Sequence, residues 1–389
     1  MNEGRTVFSQ LMDFVPKSTF RRRVHRYQGD RGVTRFTCWQ QWLAMSFAQI
    51  TFRRSLRDIE ACLGAVPKKL YHMGFTGPVP RSTLAEANEK RDWRLYSDFA
   101  HVLIGQARRL YVGEPLDVEL DQTVYALDAT TIDLCLSLFP WATFRDTKGG
   151  IKLHTLLDLR GNIPTYVWIT EAKVHDVRIL DVLLPEPGSI YVFDRAYIDF
   201  QRLWALHQAR AIFVTRTKKN LNYRRRYSSP ADRTTGIICD QTIVLTGRDT
   251  PEYYPAALRR IRYRDPETGE TLVFLTNDFI LPALAIAALY RSRWQVELFF
   301  KWIKQHLRIK AFYGTSDNAV KTQIWIAIAT YVLVAIVRKR LKLERDLYTI
   351  LQILSVYPFE KVPLQHLLTH SIYTRQDADI YNQLWLFDL

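Results

Sequence analysis

The spacing of apolar positions divides the chain into stretches of different period. Through about residue 75, apolar and aromatic residues recur at helical spacing, as in WQQWLAMSFAQITF (39–52), between basic clusters at Arg21, Arg22, Arg23 and Arg26 and at Arg53, Arg54 and Arg57. A helical N-terminal domain with cationic faces is expected over 1–75. GFTGPVPRS at 74–82 breaks the pattern, and Ser82 with Glu86 nearby predicts the start of a long helix from Thr83 to Tyr111, a helical connector over 76–119. From about residue 120 the period becomes that of strands, in TVYALDATTIDL, GGIKLHTLLDLRG, NIPTYVWITEAK, SIYVFDRAY and AIFVTRT. Helix-like DVRILDVLL precedes the fourth strand and DFQRLWALHQAR the fifth. Three strands joined by short turns, then alternating helix and strand, predict a mixed α/β sheet flanked by helices over 120–215. Residues 216–277 interrupt it with a basic stretch, the strand IICDQTIVLTG and a hairpin around Asp265–Gly269, a β-rich insertion. The core then resumes over 278–343 and a helical extension fills 344–389.

The longest apolar run, IWIAIATYVLVAIV at 324–337, is too short for a bilayer core that needs about 20 residues, so a buried helix is expected and no membrane partner. With 389 residues, 48% hydrophobic and 13% aromatic, the chain can bury a sizeable core in two or three folded units. Lys and Arg number 54 against 39 Asp and Glu, an excess of 15 gathered in blocks, which makes nucleic acid the expected partner. Cys38, Cys62, Cys135 and Cys239 are far apart, with neither zinc-site nor disulfide spacing. No charged-then-apolar signal segment opens the sequence, and a reducing cytoplasm fits.

The candidate chemistry begins in YRSRWQVELFFKWIK. Tyr290, Arg293, Glu297 and Lys304 fall at steps of 3, 4 and 7, within an arc of roughly 60° on an α-helix. Leu289, Val296, Phe300, Ile303 and Leu307 occupy the adjacent arc, so the polar stripe borders the buried side. Arg293 to Glu297 and Glu297 to Lys301 are also ordinary i,i+4 pairs of an exposed helix. What favours a site is that Asp128 ends the apolar run YALD and Asp194 ends YVFD. If the first and fourth strands are neighbours, both carboxylates meet at the strand ends, and Glu297 supplies a third. Three such carboxylates repel one another unless a cation holds them, and hard oxygen donors suit Mg²⁺, with Mn²⁺ as a substitute. Two such ions support in-line phosphoryl transfer. Arg293 and Lys304 would grip phosphates, and Tyr290 would donate to a phosphate or pack on a sugar.

These three separated motifs, with LDAT at Asp128, FDRAY at Asp194 and Y-x2-R-x3-E-x6-K at 290–304, resemble the DDE transposases of bacterial insertion sequences, in the group called family four. The resemblance covers about 120–340. It implies a ribonuclease H-like core, catalytic and metal-holding roles for Asp128, Asp194 and Glu297, and Mg²⁺-dependent cutting of transposon ends followed by joining to target DNA. It further implies a homodimer in the synaptic complex and a cytoplasmic, nucleoid-associated bacterial protein. Some relatives excise through a DNA hairpin with a Trp of the insertion holding a flipped base. Residues 205–289 contain no Trp, leaving Tyr223, Tyr227, Tyr253, Tyr254 or Tyr263 for that role.

Among the remaining residues, His154 and His175 read as structural. Asp121, Asp146, Asp158, Asp176 and Asp199 suit turns and caps, and Asp133 is the substitute for Asp128. Arg216, Lys218, Lys219, Arg224, Arg225 and Arg226, beside Tyr223 and Tyr227, form the densest basic block and a candidate phosphate-tracking surface. Arg260, Arg262 and Arg264 would share one strand face, and FRRRVHRY would contact DNA or another subunit. A nuclease without strand transfer would use the same carboxylates. A silent DNA-binding derivative would have lost one, and all three are present.

Overall fold

In a computed structural model, residues 4–116, 118–145, 148–217, 220–306 and 312–369 are described. Helices α1 (Val7–Leu11), α2 (Lys17–Arg26), α3 (Cys38–Ile50), α4 (Leu56–Gly64), α5 (Pro67–Met73), α6 (Arg81–Lys90) and α7 (Arg94–Tyr111) come first. Side-chain caps fix several starts: Thr37 accepts from the Gln40 amide for α3, and Ser55 from the Asp58 amide for α4. The helix expected from Thr83 to Tyr111 is two, and it begins after Pro80 instead of at Ser82. The Asp92 carboxylate takes the Arg94 amide, while Asn318 accepts from Trp93 N–H and donates to the Asn88 and Arg91 carbonyls. A side chain more than 200 positions away thus satisfies the backbone groups freed at the break, a tertiary contact with no local signature.

Ten strands follow: β1 (Val124–Leu134), β2 (Thr143–Arg145), β3 (Lys148–Asp158), β4 (Ile163–Glu171), β5 (Ile190–Phe193), β6 (Ile212–Arg216), β7 (Tyr223–Ser229), β8 (Ile237–Leu245), β9 (Leu258–Arg264) and β10 (Thr271–Thr276). Helix α8 (Phe200–Gln208) joins β5 to β6, and the short α9 (Thr250–Tyr253) joins β8 to β9. β4, β3, β1, β5 and β6 lie side by side, antiparallel through the first three and parallel from β1 to β6. That order and those directions are a ribonuclease H-like sheet. The insertion continues it: β10 pairs antiparallel with β6, and β9, β8 and β7 extend the sheet to a new edge. β7 was not legible as a strand, because its arginines lack the alternation that burial of one face imposes. DVRILDVLL forms only a 3-10 stretch, Asp176–Asp181.

After the sheet come α10 (Ala283–Ser292), α11 (Trp294–His306), α12 (Asp317–Arg340), α13 (Leu347–Val356) and α14 (Leu364–Thr369). Side chains alternate along β1 and β5: Val124, Ala126, Ile190 and Val192 join one apolar cluster, Tyr125, Leu127, Tyr191 and Phe193 another on the opposite face. The first cluster runs on through α10, α11, α12 and the N-terminal helices. α12 carries the apolar run, and 94% of its most apolar window is buried within the protein. Its cations Arg338, Lys339 and Arg340 fall in the last turn, where the helix dipole favours them.

One buried ion pair fastens the insertion to the core. Arg259 donates to both Asp240 oxygens, at 2.9 and 2.7 Å, and to the Leu281 carbonyl at 2.6 Å, in the turn before α10. Removing one partner strands the other charge, so Arg259→Met should destabilise the protein by about 3–5 kcal/mol. Denaturant unfolding checks this, and Arg262→Met, on the exposed face of the same strand, should change little.

Candidate active site

The register of two parallel strands sets the site. Leu127 pairs with Phe193 at the last step of the β1–β5 ladder, so Asp128 and Asp194 emerge side by side on the face covered by α10 and α11. β1 continues past Asp128 along β3 to Leu134, the span of TVYALDATTIDL, while β5 turns away, so Asp128 marks the end of the β1–β5 ladder and not of the strand. Asp194 caps a 3-10 turn, its Oδ1 accepting from the Ala196 amide at 2.7 Å, and Thr215 of β6 donates to its carbonyl at 3.0 Å. Asp128 Oδ1 accepts from the Ala129 amide at 2.8 Å, and Oδ2 from Arg293 at 3.1 Å.

The helix expected to carry all four polar residues is broken at Arg293. The Ser292 hydroxyl donates to the Leu289 carbonyl, the acceptor that the Arg293 amide would use in a regular helix, and Arg293 N–H turns to Tyr290 O instead. From this joint the guanidinium reaches Asp128 with one nitrogen and Glu297 Oε1, at 2.6 Å, with the other. Burial, with lesser contributions from the Asp194 and Glu297 charges, pushes the Asp128 carboxyl up to about 6 against the opposing pull of the Ala129 amide and Arg293. Tyr290 is buried between Phe274, 5.1 Å away, and the Arg293 guanidinium, 5.8 Å from its ring. Burial raises its phenol. Lys304 Nζ donates to the Thr131 carbonyl at 2.8 Å, tying α11 to β1.

The basic block is spread along the sheet. Arg216 pairs with Glu270 at 3.0 Å. Arg224, Arg225 and Arg226 are exposed on the edge strand β7, with Arg226 at a bulge, and none is ion-paired among the described residues. Lys218, Lys219, Asp146 and Leu307 lie outside the described residues. Arg262 and Arg264 face solvent from the same side of β9 as Arg260, as expected. Of the tyrosines, Tyr254 and Tyr263 are buried, Tyr223 lies under the Arg260 guanidinium, and Tyr227 and Tyr253 are exposed. Asp133 is exposed and, five positions along β1, on the opposite face from Asp128, so it cannot substitute for it. Asp199 caps α8 as expected, and Asp158 and Asp176 pair with Arg108 and Lys152. His175 is exposed.

Two residues near the site carried no distinct sequence signal. Tyr197, from the FDRAY turn, is fully buried, and its hydroxyl makes no hydrogen bond among the described residues; burial and then the Asp128, Asp176 and Asp194 charges raise it far above the ordinary phenol range. Trp294, next to Arg293, is 56% exposed.

A ribonuclease H-like sheet with two aspartates at the end of a parallel ladder and a glutamate delivered by a late helix defines a class of metal-dependent enzymes acting on nucleic-acid phosphodiesters. Residues 119–333 match the family model of the transposase DDE domain, and the chain belongs to that family. A domain of unknown function (DUF4372) matches residues 3–76. The chain is 35% identical over 257 residues to a putative transposase, y4zB, of Sinorhizobium fredii, covering 65% of this chain and 70% of that one. It is 31% identical over 212 residues to a probable transposase for insertion sequence element IS5377 of Geobacillus stearothermophilus, 53% of this chain and 54% of the other. A putative transposase for insertion sequence element IS4SA of Synechocystis is 23% identical over 331 residues, 83% and 90% of the two chains. Among solved structures, the piggyBac transposase synaptic complex with hairpin DNA aligns at TM-score 0.44 and 11% identity, over 86% of this chain and 73% of that one. The protein is thus a DDE transposase, an enzyme whose family chemistry requires a divalent metal.

His154 lies on the sheet face opposite Asp128, fully buried, Nε2 bonded to Thr170 at 3.0 Å and the ring 5.2 Å from Trp168. Burial lowers it from the usual value to about 4, so it is neutral in the fold. A depressed folded value means the stabilisation is present above about 6.5 and lost as pH falls towards 4. His154→Phe should flatten the acid limb of a melting-temperature profile between those pH values; an unchanged limb would show that His154 does not drive it.

Proposed function

We propose that the protein binds the terminal inverted repeats of its insertion sequence, cuts the element ends and joins them to target DNA, with Asp128, Asp194 and Glu297 as catalytic and metal-holding residues. The observation that carries this reading is the β1–β5 register, which brings two aspartates together opposite Glu297. Match to the Y-x2-R-x3-E-x6-K pattern supports membership of family four. Among the described residues no three metal-ligating groups are gathered closely enough to hold an ion as they stand. The donor set fits one nonetheless: hard carboxylate oxygens converge on a shared cation, here the Arg293 guanidinium. Mg²⁺, with Mn²⁺ as substitute, would be held by Asp128, Asp194 and Glu297, and when bound supplies an activated attacking oxygen and stabilises the leaving one. Asp128 must be ionised for this. Tyr290 holds Arg293 against the carboxylates, and Lys304 fixes the helix that presents Glu297.

DNA would leave this site along the extended sheet. Five strand spacings separate β5 from β7, roughly 24 Å or about seven base pairs of B-form DNA. Arg224, Arg225 and Arg226, with Arg216 nearer the carboxylates, would track phosphates over that span, and Lys218 and Lys219 would add to the same basic stretch. The N-terminal domain would read the repeats through α2, where Arg21, Arg22, His25 and Arg26 are exposed beside a cavity of about 740 Å³ floored by Phe20, Val24 and Trp39. Two ends must be cut and joined, so a homodimer in the synaptic complex is the working assembly. Its place is the bacterial cytoplasm, at the nucleoid. Exposure of Tyr227 and Tyr253 leaves these two as the tyrosines of the insertion able to stack on a base.

Purified protein with Mg²⁺ and linear DNA carrying the repeats should cut at the repeat boundary and join the ends to a target plasmid. Asp194→Ala and Glu297→Gln should each abolish both steps with DNA binding retained. Full cleavage by either variant removes the assignment, and cutting without joining identifies a nuclease. In binding isotherms, Arg224→Ala with Arg225→Ala should lower the log-log salt slope by about 0.9 per phosphate contact, equally for repeat and unrelated duplexes. Arg21→Ala with Arg22→Ala should instead reduce preference for the repeat. A loss equal for both duplexes would make α2 a phosphate contact only.

A further inference from the structure

Arg293 stands towards Asp128 and Glu297 as a bridging cation would. Its two terminal nitrogens donate to Asp128 Oδ2 at 3.1 Å and Glu297 Oε1 at 2.6 Å. The side chain is 16% exposed, and its Nε is buried without a hydrogen bond among the described residues. A guanidinium of this kind uses the same lone pairs that a metal ion would need, and its charge repels a dication at contact distance. Both cations cannot be seated between the two carboxylates at once. Beyond them, Arg293 is held by the Tyr290 ring, and it springs from a joint where the helical ladder is already interrupted, so its release breaks no further helix bond.

We propose that Arg293 is an exchangeable stand-in cation: it holds Asp128 and Glu297 together in the DNA-free protein, gives up that place to a divalent ion, and passes to a DNA phosphate. The inference rests on Asp128 and Glu297 being metal-holding residues. Its consequence is positive coupling. A phosphate that captures Arg293 removes the competitor for the metal position, and a metal that displaces Arg293 frees a guanidinium for DNA, so each ligand tightens the other by the same factor. Activation would then depend on the DNA end being in place, a safeguard against hydrolysis by metal-loaded enzyme away from its substrate.

The test is Mn²⁺ binding measured by electron paramagnetic resonance, for the full chain alone and with a saturating duplex that ends at an already cut repeat, the duplex's own Mn²⁺ uptake being subtracted. Unmodified protein should bind Mn²⁺ about tenfold more tightly with the duplex, within the 5–150-fold range usual for coupled sites. Arg293→Met should bind Mn²⁺ tightly without DNA and gain little from it. Arg293→Lys, whose single ammonium cannot span both carboxylates in the same planar geometry, should fall between. Should Arg293→Met be poorly soluble, Mn²⁺ should still raise the melting temperature of Arg293→Lys more than that of the unmodified protein. Equal or weaker Mn²⁺ binding by the Arg293 variants, as expected if the residue were only a structural tie, overturns the exchange. Mn²⁺ binding that Glu297→Gln leaves unchanged overturns the metal assignment itself, and the exchange with it.

Discussion

Repulsion between carboxylates is the constraint around which this molecule is arranged. β1 and β5 part after Leu127 and Phe193, so Asp128 and Asp194 emerge on one face at neighbouring positions. Two unit charges about 5 Å apart in a partly buried setting repel by on the order of 3 kcal/mol, and Glu297 adds a third. Burial pushes the Asp128 carboxyl up to about 6, and the charges of Asp194 and Glu297 add a lesser push in the same direction. One guanidinium offsets it. Delivering that guanidinium and Glu297 across the face requires a helix seated on β1, which Lys304 anchors at the Thr131 carbonyl, and a joint in the helix, which Ser292 makes at Leu289.

The rest of the chain supports that helix and extends the sheet beneath it. α12 is buried along its apolar length and connects the N-terminal helices to the sheet in one continuous cluster. Asn318, in its first turn, also closes the break between α6 and α7, so the core helix and the N-terminal region are fixed to one another by hydrogen bonds as well as by apolar contact. On the other side, the insertion adds strands to β6 and is locked by Arg259 to the turn from which α10 departs. A displacement of the insertion would therefore be felt at α10 and, through it, at Arg293.

Most of the sheet was legible because its strands are apolar and bounded by Gly, Pro and Asn, and the ladder order followed once three short-turn strands preceded two helix-linked ones. The pairing of Asp128 with Asp194 was legible only as a condition, since register is set by contacts between strands more than 60 positions apart. Arg259 was hidden inside RRIRYR, where alternation drew attention to Arg260, Arg262 and Arg264; its own burial depends on Asp240, on another strand. The break at Arg91–Trp93 was invisible for the same reason, its partner Asn318 being remote. β7 failed differently, because an edge strand with both faces solvated has no hydrophobic pattern to read.

The 3, 4 and 7 spacing of Tyr290, Arg293, Glu297 and Lys304 rests on an idealised, unbroken helix. On an unbroken helix Arg293 is simply the i−4 partner of Glu297, an ordinary surface pair worth a few tenths of a kcal/mol. The hydrogen bond from the Arg293 amide to Tyr290 O tightens the backbone to three-residue spacing at that point, which changes the phase between α10 and α11. The same side chain then touches a strand carboxylate and a helix carboxylate together. A motif that measures only sequence distance records the pair within the helix, whereas the contact from Arg293 to Asp128 spans 165 positions and exists only once the sheet has formed.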